Sequence, residues 1–312
     1  MDNFLRDTLG GLTVTPKRLN SKYFYDAEGD KIFEQIMSLH EYYLTGCEYE
    51  ILSQQADEIA SYLAQLTDGK FYDLVELGCG NAVKTRPLIH AIRKFNSDLR
   101  YYPIDISKSV IDALVKDMTK NMSAVEVHGL AGDYMDMLEK IPSGRPKVIL
   151  FLGSTIGNFE KDEAVEFCKE LKSHMSPGDV LIVGFDLKKN PHTILSAYND
   201  MRGVTKRFNL NLLNRINREL DGNFDTCNFL HYPVYNPEDG SCRSYLVSTR
   251  KHDVSIGGKV IHFDKDEPIR MEISQKYSET ETEYMAEEAG FIPAHHYFDS
   301  RGWFMDAVWT LE

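Results

Sequence analysis

Val75-Glu76-Leu77-Gly78-Cys79-Gly80-Asn81 reads as an apolar strand that ends on an acidic residue and turns through two glycines into helix-patterned sequence. Glycines there supply backbone conformations and clearances that a Cβ would obstruct, so a nucleotide-like ligand can approach the main chain closely. The same turn is an ordinary structural device of α/β proteins, so its meaning rests on what surrounds it. The strand itself is Phe71 to Leu77, and from it strand and helix patterns alternate to about residue 187. Tyr101 to Ile106, Val125 to Leu130, Val148 to Leu152 and Val180 to Phe185 read as further strands. Val110 to Met118 and Glu163 to Met175 carry helical periodicity, and Ser176-Pro177-Gly178-Asp179 is a turn. Such alternation predicts an α/β fold, a mostly parallel sheet with helices on both faces.

The flanking sequence is built differently. From Asp30 to about Leu66 apolar residues recur at helical spacing, as in Ile32, Phe33, Ile36 and Leu39, then Ile51, Ile59 and Leu63. Residues 191–220 read as helical, and 229–275 as strands joined by polar turns such as Asn236-Pro237-Glu238-Asp239-Gly240 and Gly257-Gly258. A last helix, about Glu281 to Ala289, precedes the apolar tail Phe291 to Leu311, which is expected to rejoin the sheet as its final antiparallel strands. The expected division is 53–188 plus 276–312 for the sheet domain and 1–52 plus 189–275 for a second, discontinuous α+β lobe.

Composition narrows the functional classes. In 312 residues, a 42% hydrophobic content supplies a substantial core, and a net charge of -13 argues against a surface that tracks phosphates. No nucleic-acid partner is expected. Cys47, Cys79, Cys168, Cys227 and Cys242 are scattered, with no CxxC pair and no Cys/His cluster at metal spacing, so reduced thiols and no metal are expected. The N-terminus, Met1-Asp2-Asn3-Phe4-Leu5-Arg6-Asp7, has no basic segment followed by an apolar stretch, and no apolar run approaches membrane-spanning length. The reading is a cytoplasmic protein with no membrane partner, expected as a monomer.

Ligands of open α/β sheets bind at the carboxyl ends of the strands, near the switch in strand order. Those ends are Glu76 to Gly80, Asp105, Gly132-Asp133-Tyr134 and Gly153-Ser154-Thr155-Ile156-Gly157-Asn158. Asp105 can accept both hydroxyls of a ribose, Asp133 an adenine amine, and Tyr134 can cover the ring. A nicotinamide dinucleotide fits Asp105 equally well, but its fingerprint wants a third small residue where Val83 stands. Glu76 beside the turn also suits a cationic ligand better than a pyrophosphate. S-adenosylmethionine fits both observations.

Further segments carry a family resemblance: Lys22-Tyr23-Phe24-Tyr25-Asp26, Gly29-Asp30-Lys31-Ile32-Phe33-Glu34-Gln35-Ile36, and Glu41-Tyr42-Tyr43-Leu44-Thr45 with Glu48 following. They continue through Lys84-Thr85-Arg86, Tyr102-Pro103-Ile104-Asp105-Ile106-Ser107, the octapeptide Phe151 to Asn158, and Ala197-Tyr198-Asn199-Asp200. Over nearly its whole length the chain resembles the histidine-specific Nα-methyltransferases of ergothioneine biosynthesis, relatives of fungal dimethylallyltryptophan N-methyltransferases. The resemblance implies a Rossmann-like class I methyltransferase sheet with a substrate-binding lobe, and methylation of the α-amino group of L-histidine to the betaine hercynine. It implies that Asn158 and Tyr198 hold the substrate's amino and carboxylate groups, with Tyr42 and Gly153 nearby, and that Asn158 and Tyr42 serve the transfer. Tyr25 would reach the side-chain end, and Glu272 and Ser274 would read the imidazole. Glu76, Gly78, Gly80, Lys84, Asp105, Asp133 and Tyr134 would form the cofactor site. His40 and Leu44 stand where prolines are usual in the family, Cys79, Asn81 and Val83 vary the glycine loop, and Ser244 stands where a larger residue such as methionine can occur.

Elementary chemistry bears on the acceptor. Glu272 and Ser274 are two apart on an expected strand, so both side chains leave one face and can meet one ring. A carboxylate accepts from one imidazole nitrogen while a hydroxyl donates or accepts at the other; an indole offers a single N–H and leaves one group idle. An isolated Glu272 would instead be read as a solvated residue paired with Arg270 or Lys276. The same fold acting on another nitrogen, in a tryptophan derivative or the histidine ring, and a non-catalytic ligand-binding module are the competing readings.

Overall fold

A computed structural model describes residues 3–311; Met1 and Asp2, quoted above for the N-terminus, and Glu312, within the expected range 276–312, lie outside the described residues. The chain divides into two compact units, one running to Tyr43 and resuming over Lys189–Ser274, the other comprising Leu44–Lys188 and resuming at Gln275. The expected first boundary, at 52/53, therefore moves to 43/44. Residues 44–52 join the sheet-bearing unit because polar groups tie this stretch there: the Gly153 N–H donates to Glu48 at 2.6 Å and Arg301 donates to the Cys47 thiol at 2.9 Å. The return to that unit comes at Gln275 rather than at residue 276.

Its eight-stranded sheet runs in the order Ile292–Phe298, Phe304–Thr310, Val180–Asp186, Lys147–Phe151, Asp73–Leu77, Arg100–Asp105, Glu126–Val127, with Leu130–Ala131 also paired to Arg100–Asp105. Phe304–Thr310 is antiparallel to both neighbours, while the strands from Val180–Asp186 to Glu126–Val127 pair in parallel. This is the Rossmann-like class I sheet with its tail strand inserted before the last. Asp73–Leu77 and Val180–Asp186 are buried at every position, as strands covered on both faces must be. Val75, Leu77, Ile104, Phe151, Phe185 and Trp309 form the centre of the core.

One strand departs from its expected form. Val125 to Leu130 is two short pieces interrupted at His128-Gly129, where a Cβ on Gly129 would lie 2.5 Å from Val115 and 2.6 Å from Ile111 of helix Lys108–Asn121. The helix approaches so closely that only a glycine fits, and regular pairing lapses over these two residues although the His128 N–H still donates to Tyr101 C=O at 2.8 Å.

In the other unit the sheet order is Lys17–Arg18, Pro268–Gln275, Ser241–Ser248, Phe229–Tyr235, beside a separate hairpin of His252–Ile256 and Lys259–Phe263. Helices Asn3–Leu12, Ala27–Met37, Pro191–Tyr198 and Val204–Glu219 accompany it. The helical run expected over 191–220 is thus two helices. Asp200 ends the first by capping the second, its carboxylate accepting from the Val204 and Thr205 amides at 2.9 and 2.8 Å, with Gly203 at φ +66° between. Phe24, Phe208, Leu212, Leu246 and Ile269 pack its core. Among the described residues no helix is long and apolar enough to cross a membrane.

Candidate functional site

In the sheet-bearing unit the strand order reverses between Asp73–Leu77 and Lys147–Phe151, and two of the three glycine-bearing ends singled out in the sequence follow these two strands. Gly78 and Gly80 have φ of +72° and +51°, in the left-handed region that favours glycine. A Cβ on Gly78 would stand 2.8 Å from the Tyr134 hydroxyl, so only a bare backbone leaves this turn open. The turn is anchored from strand Arg100–Asp105: Ile104 C=O accepts from the Gly78 and Cys79 amides, at 2.8 and 3.2 Å. The Asp105 carboxylate accepts from the Gly80 N–H at 3.2 Å and the Ser107 N–H at 3.0 Å. Burial raises the Asp105 pKa, opposed by those backbone donors. Asp105 therefore shapes the turn and retains acceptor capacity for a ligand hydroxyl.

Asp133 caps helix Tyr134–Leu138, accepting from Met135 N at 3.1 Å, and is exposed. Tyr134 packs edge-on against Phe151, ring centres 6.0 Å apart. Glu76 plays a different part from the one its position at the turn suggests. It is buried, and its two oxygens accept from the Thr85 hydroxyl at 2.6 Å and from the Tyr101 hydroxyl. Burial pushes its carboxyl up to about 7. It braces the strand end against the segment that follows the turn.

Lys84, expected at the cofactor, is ion-paired with Glu48, a residue of the resemblance to which no role attached. Glu48 is 1% exposed and also accepts the Gly153 N–H, so one carboxylate joins the glycine at the end of Lys147–Phe151 to Lys84. Gly153 has φ +75°, and a Cβ there would approach Lys84 Nζ to 3.5 Å. The chain continues through Ser154, itself at φ +55°, into a 3₁₀ turn, Thr155–Asn158. Asn158 is half-buried, and its side-chain amide has no hydrogen-bond partner among the described residues. An amide free to donate and accept suits a ligand with both kinds of group.

In the other unit the predicted substrate residues form a connected series. Tyr25 meets Phe33 edge-on at 5.5 Å, Phe33 meets Tyr42 at 6.3 Å, and Tyr42 meets Tyr198 at 6.2 Å. The Tyr198 hydroxyl lies 2.7 Å from the Ser274 hydroxyl, and Glu272 precedes Ser274 by two positions on strand Pro268–Gln275, sharing its face. Ser244 is buried with its hydroxyl 3.4 Å from His231 Nε2, and burial drops the His231 pKa to about 4, so this imidazole is neutral. His231 carried no signal in the sequence, because a lone histidine on a strand is indistinguishable from a solvated one.

The glycine cradle, the anchored acidic acceptors and the free amide fit a nucleoside-bearing ligand with an amino-acid end. A family model described as histidine-specific methyltransferase, SAM-dependent, matches residues 4–311. A histidine N-alpha-methyltransferase of Mycobacterium tuberculosis is 38% identical over 87% of this chain and 84% of its own length, and its namesake in Mycolicibacterium smegmatis is 34% identical over 95% and 91%. An L-tryptophan methyltransferase of Psilocybe serbica is 28% identical over 94% of this chain and 88% of its own length.

Proposed function

This chain belongs to the histidine-specific, S-adenosylmethionine-dependent methyltransferases, and from that membership we propose that it methylates the α-amino group of L-histidine, to the trimethylated betaine hercynine, as a step of ergothioneine biosynthesis. The single observation that best supports the acceptor is the Tyr198–Ser274 hydroxyl contact at 2.7 Å with Glu272 on the same strand face, a donor and acceptor pair matched to the two nitrogens of an imidazole. In this reading the unit to Tyr43 and over Lys189–Ser274 binds the amino acid, and the sheet-bearing unit binds the cofactor, with Gly153 and Asn158 contributing to the amino-acid end. The protein works as a cytoplasmic monomer.

S-adenosylmethionine supplies an electrophilic methyl group on a sulfonium. The chain's own residues have three tasks. Gly78, Gly80, Asp105, Asp133, Tyr134 and Lys84 hold the cofactor, the carboxylates on its hydroxyls and amine and Lys84 on its anionic end, with Glu76 bracing the turn. Tyr25, Glu272 and Ser274 fix the imidazole. The amino acid's amino and carboxylate groups fall to Asn158, Tyr42 and Tyr198, and transfer requires loss of the ammonium proton, because only a neutral amine has the lone pair to attack. Tyrosine faces tolerate the fixed positive charge that successive methylations leave on the nitrogen.

The test is incubation of pure protein with all common amino acids and methyl-labelled S-adenosylmethionine, read by product mass and fragmentation. Label on the histidine α-nitrogen, three methyls deep, is expected. Label on tryptophan or on the imidazole ring would sink the assignment, and no turnover at all would favour a binding module. Asn158→Ala should abolish or strongly weaken histidine use while leaving S-adenosylhomocysteine affinity within about twofold, since it removes one polar contact made to the acceptor alone. Equal loss of both would move Asn158 to the cofactor.

A further inference from the structure

The antiparallel tail strand Phe304–Thr310 carries a carboxylate that none of the roles above uses. Asp306 is fully buried, and neither of its oxygens has a hydrogen-bond partner among the described residues. It sits opposite Gly184 in the register between Phe304–Thr310 and Val180–Asp186. Gly184 is a window: a Cβ placed there would lie 2.4 Å from Glu48 Oε1 and 3.2 Å from Asp306 Oδ1. Both carboxyls therefore crowd one point that only a glycine leaves free.

Glu48 is provided for, by Lys84 and by the Gly153 amide. Asp306 is not, and an ionised carboxylate with no donor, out of water and beside a second carboxylate, is strongly unfavourable. Burial first and the Glu48 charge second hold Asp306 well above the usual carboxylate range, with Lys84 opposing. A protonated acid has one O–H to donate and needs an acceptor for it. The acceptor facing the same point is Glu48 Oε1.

We propose that Asp306 is a positioning residue: a neutral carboxylic acid whose proton is donated to Glu48, which keeps Glu48 seated on the Gly153 amide and on Lys84. The Lys84 ammonium then faces one negative charge rather than two, and its remaining N–H donors stay available for the carboxylate at the amino-acid end of the cofactor. This rests on the reading of Lys84 as a cofactor residue.

The experiment is calorimetric titration of S-adenosylhomocysteine into the full-length protein and three variants, with melting temperatures recorded alongside. Asp306→Leu removes the donor without introducing charge, and should weaken binding on the order of tenfold, the scale of a hydrogen bond to a charged group. Its melting temperature should not fall, because an apolar side chain replaces a polar one that has no other partner. Asp306→Asn keeps an uncharged donor and should bind within about threefold of the wild type. A folded Asp306→Leu that binds normally, or an Asn variant as weak as the Leu variant, overturns the proposal. Should Asp306→Leu fail to fold, infrared difference spectra decide: the wild type should show a protonated carboxyl band that Asp306→Asn lacks, and absence of that band from the wild type ends the idea. Lys84→Met separates the two levels. If it binds as tightly as the wild type, the cofactor reading of Lys84 fails and takes the proposal with it; if it is weak while Asp306→Leu is not, only the proposal fails.

Discussion

Glu76 links the glycine turn to pH. Its carboxyl, ordinarily near 4.5, titrates at about 7 in the folded protein because burial disfavours the anion more than Thr85 and Tyr101 stabilise it. Between those values the folded chain binds more protons at this site than the unfolded chain does, so the group makes stability fall as pH rises from about 4.5 to about 7, and is neutral in effect below that window. The full swing is on the order of 3 kcal/mol. Glu76→Gln should flatten this component, so that urea titrations at pH 5 and pH 7 differ less in the variant than a wild-type decline would require; an unchanged pH slope would show that Glu76 is ionised throughout. At this scale the sequence shows Asp105 and Asp133, because they end strands, and Lys84 through its motif. Asp306 and the role of Glu48 stay hidden, since what makes them consequential is a meeting across more than 250 positions of chain through the missing side chain of Gly184. No local pattern records such a meeting.

The glycine turn behaves as one element whose geometry depends on Tyr134. Gly78→Ala places a Cβ in the left-handed region, at φ +72°, and 2.8 Å from the Tyr134 hydroxyl. Strain and clash together should cost about 1–3 kcal/mol of stability and at least tenfold in S-adenosylhomocysteine affinity. Adding Tyr134→Phe removes the clashing oxygen and should recover part of the lost stability in thermal melts; a double variant no better than Gly78→Ala would mean that backbone strain alone is responsible. Most elements around this turn are readable from residues, because strands buried on both faces are continuous apolar runs, as Val180–Asp186 is. The short pairing Lys17–Arg18 with Pro268–Gln275 is not, being two residues long with its partner far along the chain. The breaks at His128-Gly129 and at Asn199–Gly203 escape periodicity for another reason: both are imposed by a neighbour or a cap and leave the apolar spacing intact.

Across the whole molecule, the change of pattern near residue 190 and its reversal near 275 announce a discontinuous lobe, whereas the boundary at 43/44 depends on polar ties of Cys47 and Glu48 that periodicity cannot register. The Lys188 N–H donates to Tyr277 C=O at 2.8 Å, so the chain leaves the sheet-bearing unit and re-enters it at neighbouring points. A protein of residues 44–188 joined by a short glycine-serine linker to 275–312 should fold, bind S-adenosylhomocysteine within about tenfold of the intact chain, and transfer no methyl to histidine. Loss of binding in a folded product would assign cofactor affinity to the excised segments. At the re-entry point Lys276 and Asp186 form an ion pair at 2.7 Å with both side chains fully buried. Lys276 directly follows strand Pro268–Gln275, on which Ser274 and Glu272 stand two and four residues upstream of it. A one-residue slip would turn every side chain of that strand over and strand a buried ammonium, so insertions and deletions there are barred. On the proposed reading of Glu272 and Ser274, descendants of this protein acquire new acceptors by exchanging side chains in place, and the history of the family's specificities should be written in substitutions at fixed length.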